Sequence, residues 1–273
     1  MTTLTPSARA IVSRARDVAL GALDDLRPLL LAASGDVEVE AKSDGTPVTD
    51  ADREADEQLE TALTTAFPDH GVVSEEHNTV APDSDWTWVV DPIDGTSNFT
   101  CRLPYWCVSV ALAFEGDPVL AVVDAPVLGR RYEAVRGQGA YRNGRRLTVR
   151  PITDWRDSSY RHVPVMLTTS TARRARAAGL RLNPRVMGST ALDLAIVAEG
   201  VAAASVALLP HVWDIAAGAL LVAEAGGAVV TISGTPLLPL QVGLEYRDRA
   251  ASTAAGPDET YVRDLTERLL AEQ

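Results

Sequence analysis

Cysteine is nearly absent. Cys101 and Cys107 are the two thiols in 273 residues, and they fit neither a disulfide framework nor a thiolate metal spacing. Reduced thiols point to a cytoplasmic protein, with buried packing as the expected role of both. No apolar run approaches the length of a membrane span, and the N-terminus lacks a signal-peptide core, so no membrane partner is expected. A basic surplus is missing too. The formal net charge of −12 excludes a broad surface for a nucleic-acid polymer. An acidic protein that takes an anionic substrate must neutralise it locally, which bound metal would do. Internal repeats and low-complexity tracts are absent, and histidines number four. What is present is ordinary for a soluble globular chain: 46% hydrophobic and 23% charged residues, in a length that suits one large domain or two small intimate ones.

Apolar residues at helical spacing (Ile11, Ala15, Val18, Leu23, Leu26, Leu30) predict a helix over residues 6–31, and Ala55, Leu59 and Leu63 predict another over 52–67, ended by Pro68. Strands are predicted over 71–74, 87–90, 108–114 and 120–123. A hairpin-like pair follows at 132–134 and 139–141, then an Asn143-Gly144 turn and a strand over 146–149. Beyond residue 150, strands over 163–168, 203–208 and 228–232 alternate with helices over 171–178, 189–199, 214–225 and 258–270. The first half, 1–150, thus reads as helices plus an antiparallel sheet, and the second, 151–273, as an alternating α/β half, with a boundary near 150–155.

Chemistry concentrates in carboxylates. The strand Trp86-Thr-Trp-Val-Val ends in Asp91-Pro92-Ile93-Asp94-Gly95-Thr96. A strand that delivers two carboxylates into a turn stiffened by proline and relaxed by glycine suits a hard cation; an Asx-Pro turn closing a strand is the plainer alternative. Oxygen-only ligation favours magnesium or manganese over zinc. Three further acidic spots accompany it: Asp50 and Asp52 at the start of the second helix, Glu75 and Glu76 after a short strand, and Asp214 at the start of a later helix. Taken alone, Asp50, Asp52 and Asp214 read equally as helix caps, and Glu75-Glu76 as a solvated pair.

Five blocks together change the reading: Lys42-Ser-Asp-Gly-Thr-Pro-Val-Thr-Asp50-Ala-Asp52, Ser74-Glu75-Glu76, Trp88-Val-Val-Asp91-Pro-Ile-Asp94-Gly-Thr-Ser-Asn-Phe99, Gly188-Ser-Thr, and Trp213-Asp214-Ile-Ala-Ala-Gly through Gly226-Gly227. In this order they resemble the inositol monophosphatase family of magnesium-dependent, lithium-sensitive phosphomonoesterases, and the resemblance covers nearly the whole chain. It implies a layered αβαβα sandwich of the sugar-phosphatase type, mixing α+β and α/β halves. It implies two to three Mg2+ ions, with Mn2+ as the alternative. Glu75, Asp91 and the Ile93 carbonyl would hold the first ion; Asp91, Asp94 and Asp214 would hold the second. Glu75 would also serve a third. Thr96 would orient the attacking water and donate to Asp52, so the implied catalytic residues are Thr96, Asp52 and Glu75. Gly95 and Thr96 would offer N–H groups to the phosphate, with Asp94, Gly188, Ser189, Thr190 and Asp214 beside the substrate. Most ligands fall in the first half, and the second supplies Asp214 and substrate contacts. A homodimer is implied by the resemblance alone.

The chemistry is self-consistent. A phosphate monoester dianion repels an anionic nucleophile, and two cations about 4 Å apart would neutralise it, acidify a water and stabilise the leaving alkoxide. No covalent intermediate is needed. An aspartyl-phosphate route is excluded because Pro92 occupies the place where the nucleophilic aspartate of the Asp-x-Asp-Gly-Thr motif would stand. Two features depart from the family. Its substrate-binding glutamate, seven residues before Asp214, is Ala207 here, and residues 150–185 are rich in arginine (Arg173, Arg174, Arg176, Arg181, Arg185). That cluster reads as a solvated helix face or as a contact for a second anionic group. His211 reads either as a pocket lining or as a structural residue. The expected substrate is therefore a small phosphorylated metabolite. Inositol 1-phosphate is the default. Fructose 1,6-bisphosphate, histidinol phosphate and 3′-phosphoadenosine 5′-phosphate are alternatives, and a non-catalytic binding protein is a second class.

Overall fold

A long amphipathic helix opens the chain. The computed structural model describes residues 4–36, 39–41 and 47–271. Helix α1 (Pro6–Ala33) starts behind a Thr5 cap, with proline in its first turn where no N–H is needed, and buries Val12, Ala15, Ala19, Leu23, Leu26 and Leu30 along one stripe. Strands β1 (Val39–Ala41) and β2 (Pro47–Thr49) form a small antiparallel ribbon. Residues 42–46, the start of the first motif, lie outside the described residues. Helix α2 (Asp50–Ala66) follows and packs on α1.

The seven-stranded sheet is built next, from β3 (Gly71–Ser74), β4 (Trp86–Asp94), then after the short helix α3 (Thr96–Thr100), β5 (Cys107–Phe114), β6 (Asp117–Ala125), β7 (Arg130–Val135), β8 (Gly139–Arg142) and β9 (Arg145–Arg146), hydrogen-bonded in chain order. The antiparallel expectation holds for β4 through β9, but β3 pairs with β4 in parallel. The strand predicted over 146–149 is shorter. Leu147 still donates to Ala140, but Val149 donates to Ala225, which draws the chain off the sheet.

The second sheet has five strands in the order β11-β10-β12-β14-β13. Its strands and helices run β10 (Pro164–Leu167), α4 (Thr169–Ala177), β11 (Asn183–Arg185), α5 (Thr190–Ala198), β12 (Ala204–Ala207), α6 (Val212–Glu224), β13 (Ala228–Ser233), β14 (Ser252–Gly256) and α7 (Glu259–Leu270). Strand β14 has no counterpart in the sequence reading. Its residues, Ser-Thr-Ala-Ala-Gly, lack bulky β-formers, yet all five are buried because it lies between β12 and β13.

Five layers result, α1/α2, the seven-stranded sheet, α5/α6, the five-stranded sheet and α4/α7, with a hydrophobic core at each set of interfaces. The central strands read as near-continuous apolar runs because both faces are covered. On β4, Trp88 and Val90 enter the core beneath α1 and α2, while Val89 enters the one beneath α5 and α6. The layered αβαβα sandwich is the observed fold.

Candidate active site and metal centre

Pro92 shapes the end of β4. It has no N–H for the ladder, and the register between β4 and β5 slips between Asp91, opposite Ser109, and Asp94, opposite Cys107. On a regular strand, residues three apart face opposite sides. The slip lets Asp91 and Asp94 meet. With Asp214 they form a group whose carboxylate oxygens lie within 4.8 Å of one another.

Each carboxylate is held by a different local device. Asp91, 1% exposed, accepts the Ile93 N–H at 3.0 Å, which tightens the turn. Asp94 lies against the start of α5. Its Oδ2 accepts the Ser189 hydroxyl at 2.6 Å and the Ala191 N–H at 2.7 Å, and its Oδ1 accepts the Thr190 N–H at 3.2 Å. The unsatisfied N–H groups of a helix start thus orient a carboxylate from the other sheet. Asp214, at the third position of α6, accepts the His211 N–H at 2.7 Å, half of a capping box. Cap and cation-ligand readings of this residue are therefore compatible.

Beside them, Thr96 donates its single hydroxyl proton either to Asp52 Oδ1 or to the Ile93 carbonyl, both 3.1 Å away. The other oxygen of Asp52 is occupied, accepting the Thr49 N–H at 2.8 Å and the Thr49 hydroxyl at 2.5 Å, as the capping box of α2. Asp50, by contrast, points into solvent and pairs with Arg53. Gly95 turns the chain from β4 into α3 with φ +99°, and a Cβ there would stand 3.1 Å from the Gly188 carbonyl. Glycine is needed on both counts. Asn98 clamps the same approach by donating to the carbonyls of Tyr105 and Met187, each at 2.6 Å. Ser189, expected beside substrate, is buried with its hydroxyl on Asp94, while Gly188 is exposed and Thr190 half-buried.

Glu75 leaves β3 with its N–H on the Val90 carbonyl at 3.3 Å. It lies outside the 4.8 Å group, yet its charge raises the pKa values of Asp91, Asp94 and Asp52. Burial is the larger cause at all three: it drives Asp91 well above the carboxylate range, lifts Asp94 to about 6 despite three donors, and raises Asp52. Buried carboxylates crowded together and offering oxygen donors fit a hard divalent cation.

Several contributors escaped the sequence reading. Tyr105 donates to the buried Asp193 at 2.6 Å, and burial holds Asp193 up at about 8. A lone acid inside the apolar run of α5 was the available signal. Asp56 accepts from Ser74 at 2.9 Å and meets His77 Nδ1 at 2.7 Å, bracing the loop that carries Glu75. The cysteines divide: Cys107 is buried 3.8 Å from Asp94 Oδ2, whereas Cys101 is exposed, because it follows α3 at the surface instead of packing inside as expected. Arg173, Arg174, Arg176, Arg181 and Arg185 are all exposed.

Comparison with known proteins bears on the family and the fold. A model of the inositol monophosphatase family matches residues 7–267. The Nus factor SuhB of Pseudomonas aeruginosa is 36% identical over 202 residues, covering 69% of this chain and 73% of its own. A histidinol-phosphatase of Mycobacterium tuberculosis is 35% identical over 209 residues, covering 73% and 79%. Among solved structures, the IMPase of Thermotoga maritima superposes with a TM-score of 0.79 at 29% identity, over 93% of this chain and 95% of that one. With the motifs, the layers and these relatives in accord, the chain belongs to the inositol monophosphatase family and is a hydrolase of phosphate monoesters.

Proposed function

We propose that this protein hydrolyses a small polyol or amino-alcohol phosphate with magnesium, by direct attack of water and without a covalent intermediate. The carrying observation is the group formed by Asp91, Asp94 and Asp214 beside the Thr96–Asp52 pair. Glu75, Asp91, the Ile93 carbonyl, Asp94 and Asp214 would hold two to three Mg2+ ions, with Mn2+ as a substitute. Bound there, they would neutralise the phosphate, lower the pKa of water and stabilise the leaving alkoxide.

The chain's own groups do the rest. Thr96 orients the water, and Asp52 accepts the proton through the Thr96 hydroxyl. Burial raises the Asp52 pKa and makes it a better acceptor than a surface aspartate. The N–H groups of Gly95 and Thr96, at the turn into α3, bind phosphate oxygens, and Gly188 and Thr190 border the leaving group while Ser189, behind them, orients Asp94. In this reading the 1–150 half supplies most metal ligands, and the 151–273 half supplies Asp214 and substrate contacts. Thr96→Ala should lower kcat about 10²–10⁴-fold, because orientation and proton transfer are lost while the carboxylates remain. Steady-state kinetics beside a calorimetric Mg2+ titration would check this; loss of metal binding would reassign Thr96.

Inositol 1-phosphate is the default substrate. Histidinol phosphate is the second reading, favoured by Ala207: this residue ends β12 with a methyl that is 5% exposed and cannot accept a hydroxyl hydrogen bond. The similarity to a histidinol-phosphatase points the same way. The test is phosphate release from inositol 1-phosphate, glycerol 2-phosphate, histidinol phosphate, fructose 1,6-bisphosphate and 3′-phosphoadenosine 5′-phosphate. Comparable kcat/KM on the first two is expected, since an apolar wall discriminates poorly among polyols. A preference for inositol 1-phosphate beyond about a hundredfold would show that other residues replace the glutamate. No hydrolysis across the panel, with normal metal binding, would favour a binding protein. A homodimer in the cytoplasm completes the proposal.

A further inference from the structure

Residues 240–247 cross from the β5–β6 turn to the mouth of the site, and they are stitched down along the way. Leu240 donates to Gly116, Gly243 to Ala81, Ala81 to Leu244, and Tyr246 to Thr79. The Tyr246 ring is 1% exposed, and its hydroxyl accepts the Gln241 N–H. This strap ends at Arg247, which touches both halves of the acidic site. Its Nη2 has two hydrogens and donates to the carbonyls of Glu75 at 3.2 Å and Glu76 at 3.3 Å. Its own carbonyl accepts from His211 Nε2 at 3.1 Å, so that nitrogen carries the proton. His211 in turn stacks on Trp213 and gives its backbone N–H to Asp214.

We propose that Arg247 is a positioning residue that sets Glu75 against Asp214. It rests on the reading of Glu75 and Asp214 as cation ligands. These two carboxylates come from separate elements, a loop after β3 and the first turn of α6. Asp91 and Asp94 are bonded to their own turn and to α5; the root of the Glu75 loop is braced by Asp56, Ser74 and His77, and the carbonyls of Glu75 and Glu76 are taken up by Arg247. A guanidinium bonded to two consecutive carbonyls fixes the direction in which the Glu75 side chain leaves the loop. Partners of this outer kind typically alter metal affinity about 10–100-fold.

The experiment is calorimetric titration of Mg2+ into wild type, Arg247→Met and Arg247→Lys, with melting temperatures for each. Because Tyr246 and the backbone bonds anchor the strap without the Arg247 side chain, Arg247→Met should melt within a few degrees of wild type. It should bind Mg2+ about tenfold or more weakly, and Arg247→Lys should recover part of the loss. In an Arg247→Met/Glu75→Gln double mutant, the two losses should fall short of multiplying, since one residue acts through the other. Unchanged Mg2+ affinity in folded Arg247→Met, or fully multiplicative losses, overturns the proposal. A wild type that binds no divalent cation overturns it together with the metal reading. A wild type that binds Mg2+ but hydrolyses no phosphate ester overturns the catalytic reading alone, and the titrations still decide Arg247.

Discussion

Asp91→Asn is expected to lower kcat by about 10³-fold or more, because electrostatic stabilisation is the largest catalytic contribution and, on the proposed reading, Asp91 would serve both cations. The same substitution should raise the melting temperature of the metal-free protein. Asp91 is fully desolvated, and Glu75, Asp94 and Asp214 all push against its charge, so the ionised form is strongly disfavoured without a cation. Asparagine removes that charge and keeps an oxygen for the Ile93 N–H, so the turn after Val90 survives. Each kcal/mol of relief should appear as a rise of roughly 2–4 °C. Loss of activity with gain of stability separates a ligand role from a folding role. Wild-type turnover in Asp91→Asn would end the metal assignment, and a lower melting temperature would show that a cationic group balances the Asp91 charge in the metal-free protein.

Exhaustive chelation is expected to abolish hydrolysis, and Mg2+ to restore it; full activity after chelation would refute a metal-dependent mechanism. Stability should respond in a pH-dependent way. The folded pKa of Asp94 is raised from 3.8 to about 6, and that of Asp193 to about 8, chiefly by burial. Between these values and 3.8 the native state binds more protons than the unfolded chain, so stability falls as pH rises. The contribution from Asp94 is lost between about pH 4 and 6, and that from Asp193 continues to fall to about pH 8. Metal-free protein should therefore melt lower at pH 8 than at pH 5. Saturating Mg2+ binds the ionised ligands and should flatten the Asp94 part, adding about 2.7 kcal/mol at a hundredfold excess over Kd. The Asp193 part should persist, because Tyr105 is its partner and it lies outside the three-carboxylate group. Thermal melts at both pH values, with and without Mg2+, would check this. A flat profile in the absence of metal would contradict the burial of these groups.

How much of this was legible depended on the range of the interaction. The α1 stripe, the capping role of Asp52 and the strand leading to Asp91 are local patterns, set by 3.6- and 2-residue periods and by which side chains satisfy a helix start. Strand β14 had no local pattern, because its small residues become strand only by filling the gap between β12 and β13. Cys101 and Cys107 look alike in sequence, and their opposite exposures follow from where α3 ends and β5 begins. Arg247, in a loop of unremarkable composition, gains its place only because the strap carries it across to the Glu75 loop.

By itself, then, the sequence determined the supply of chemistry: carboxylates at the ends of apolar elements, a proline between two of them, scarce thiols and histidines, and motif order enough to indicate the family. Tertiary structure decided their convergence. Asp91 and Asp94 meet because a register slip at Pro92 overrides strand alternation. Asp94 is aimed by N–H groups of α5 from the other half of the chain, and Asp214 joins them because α6 is packed between the two sheets. The physical reason is distance along the chain. Caps and periods act over a few residues, whereas charge crowding and burial, which create the site's demand for a cation, exist only once the layers have packed.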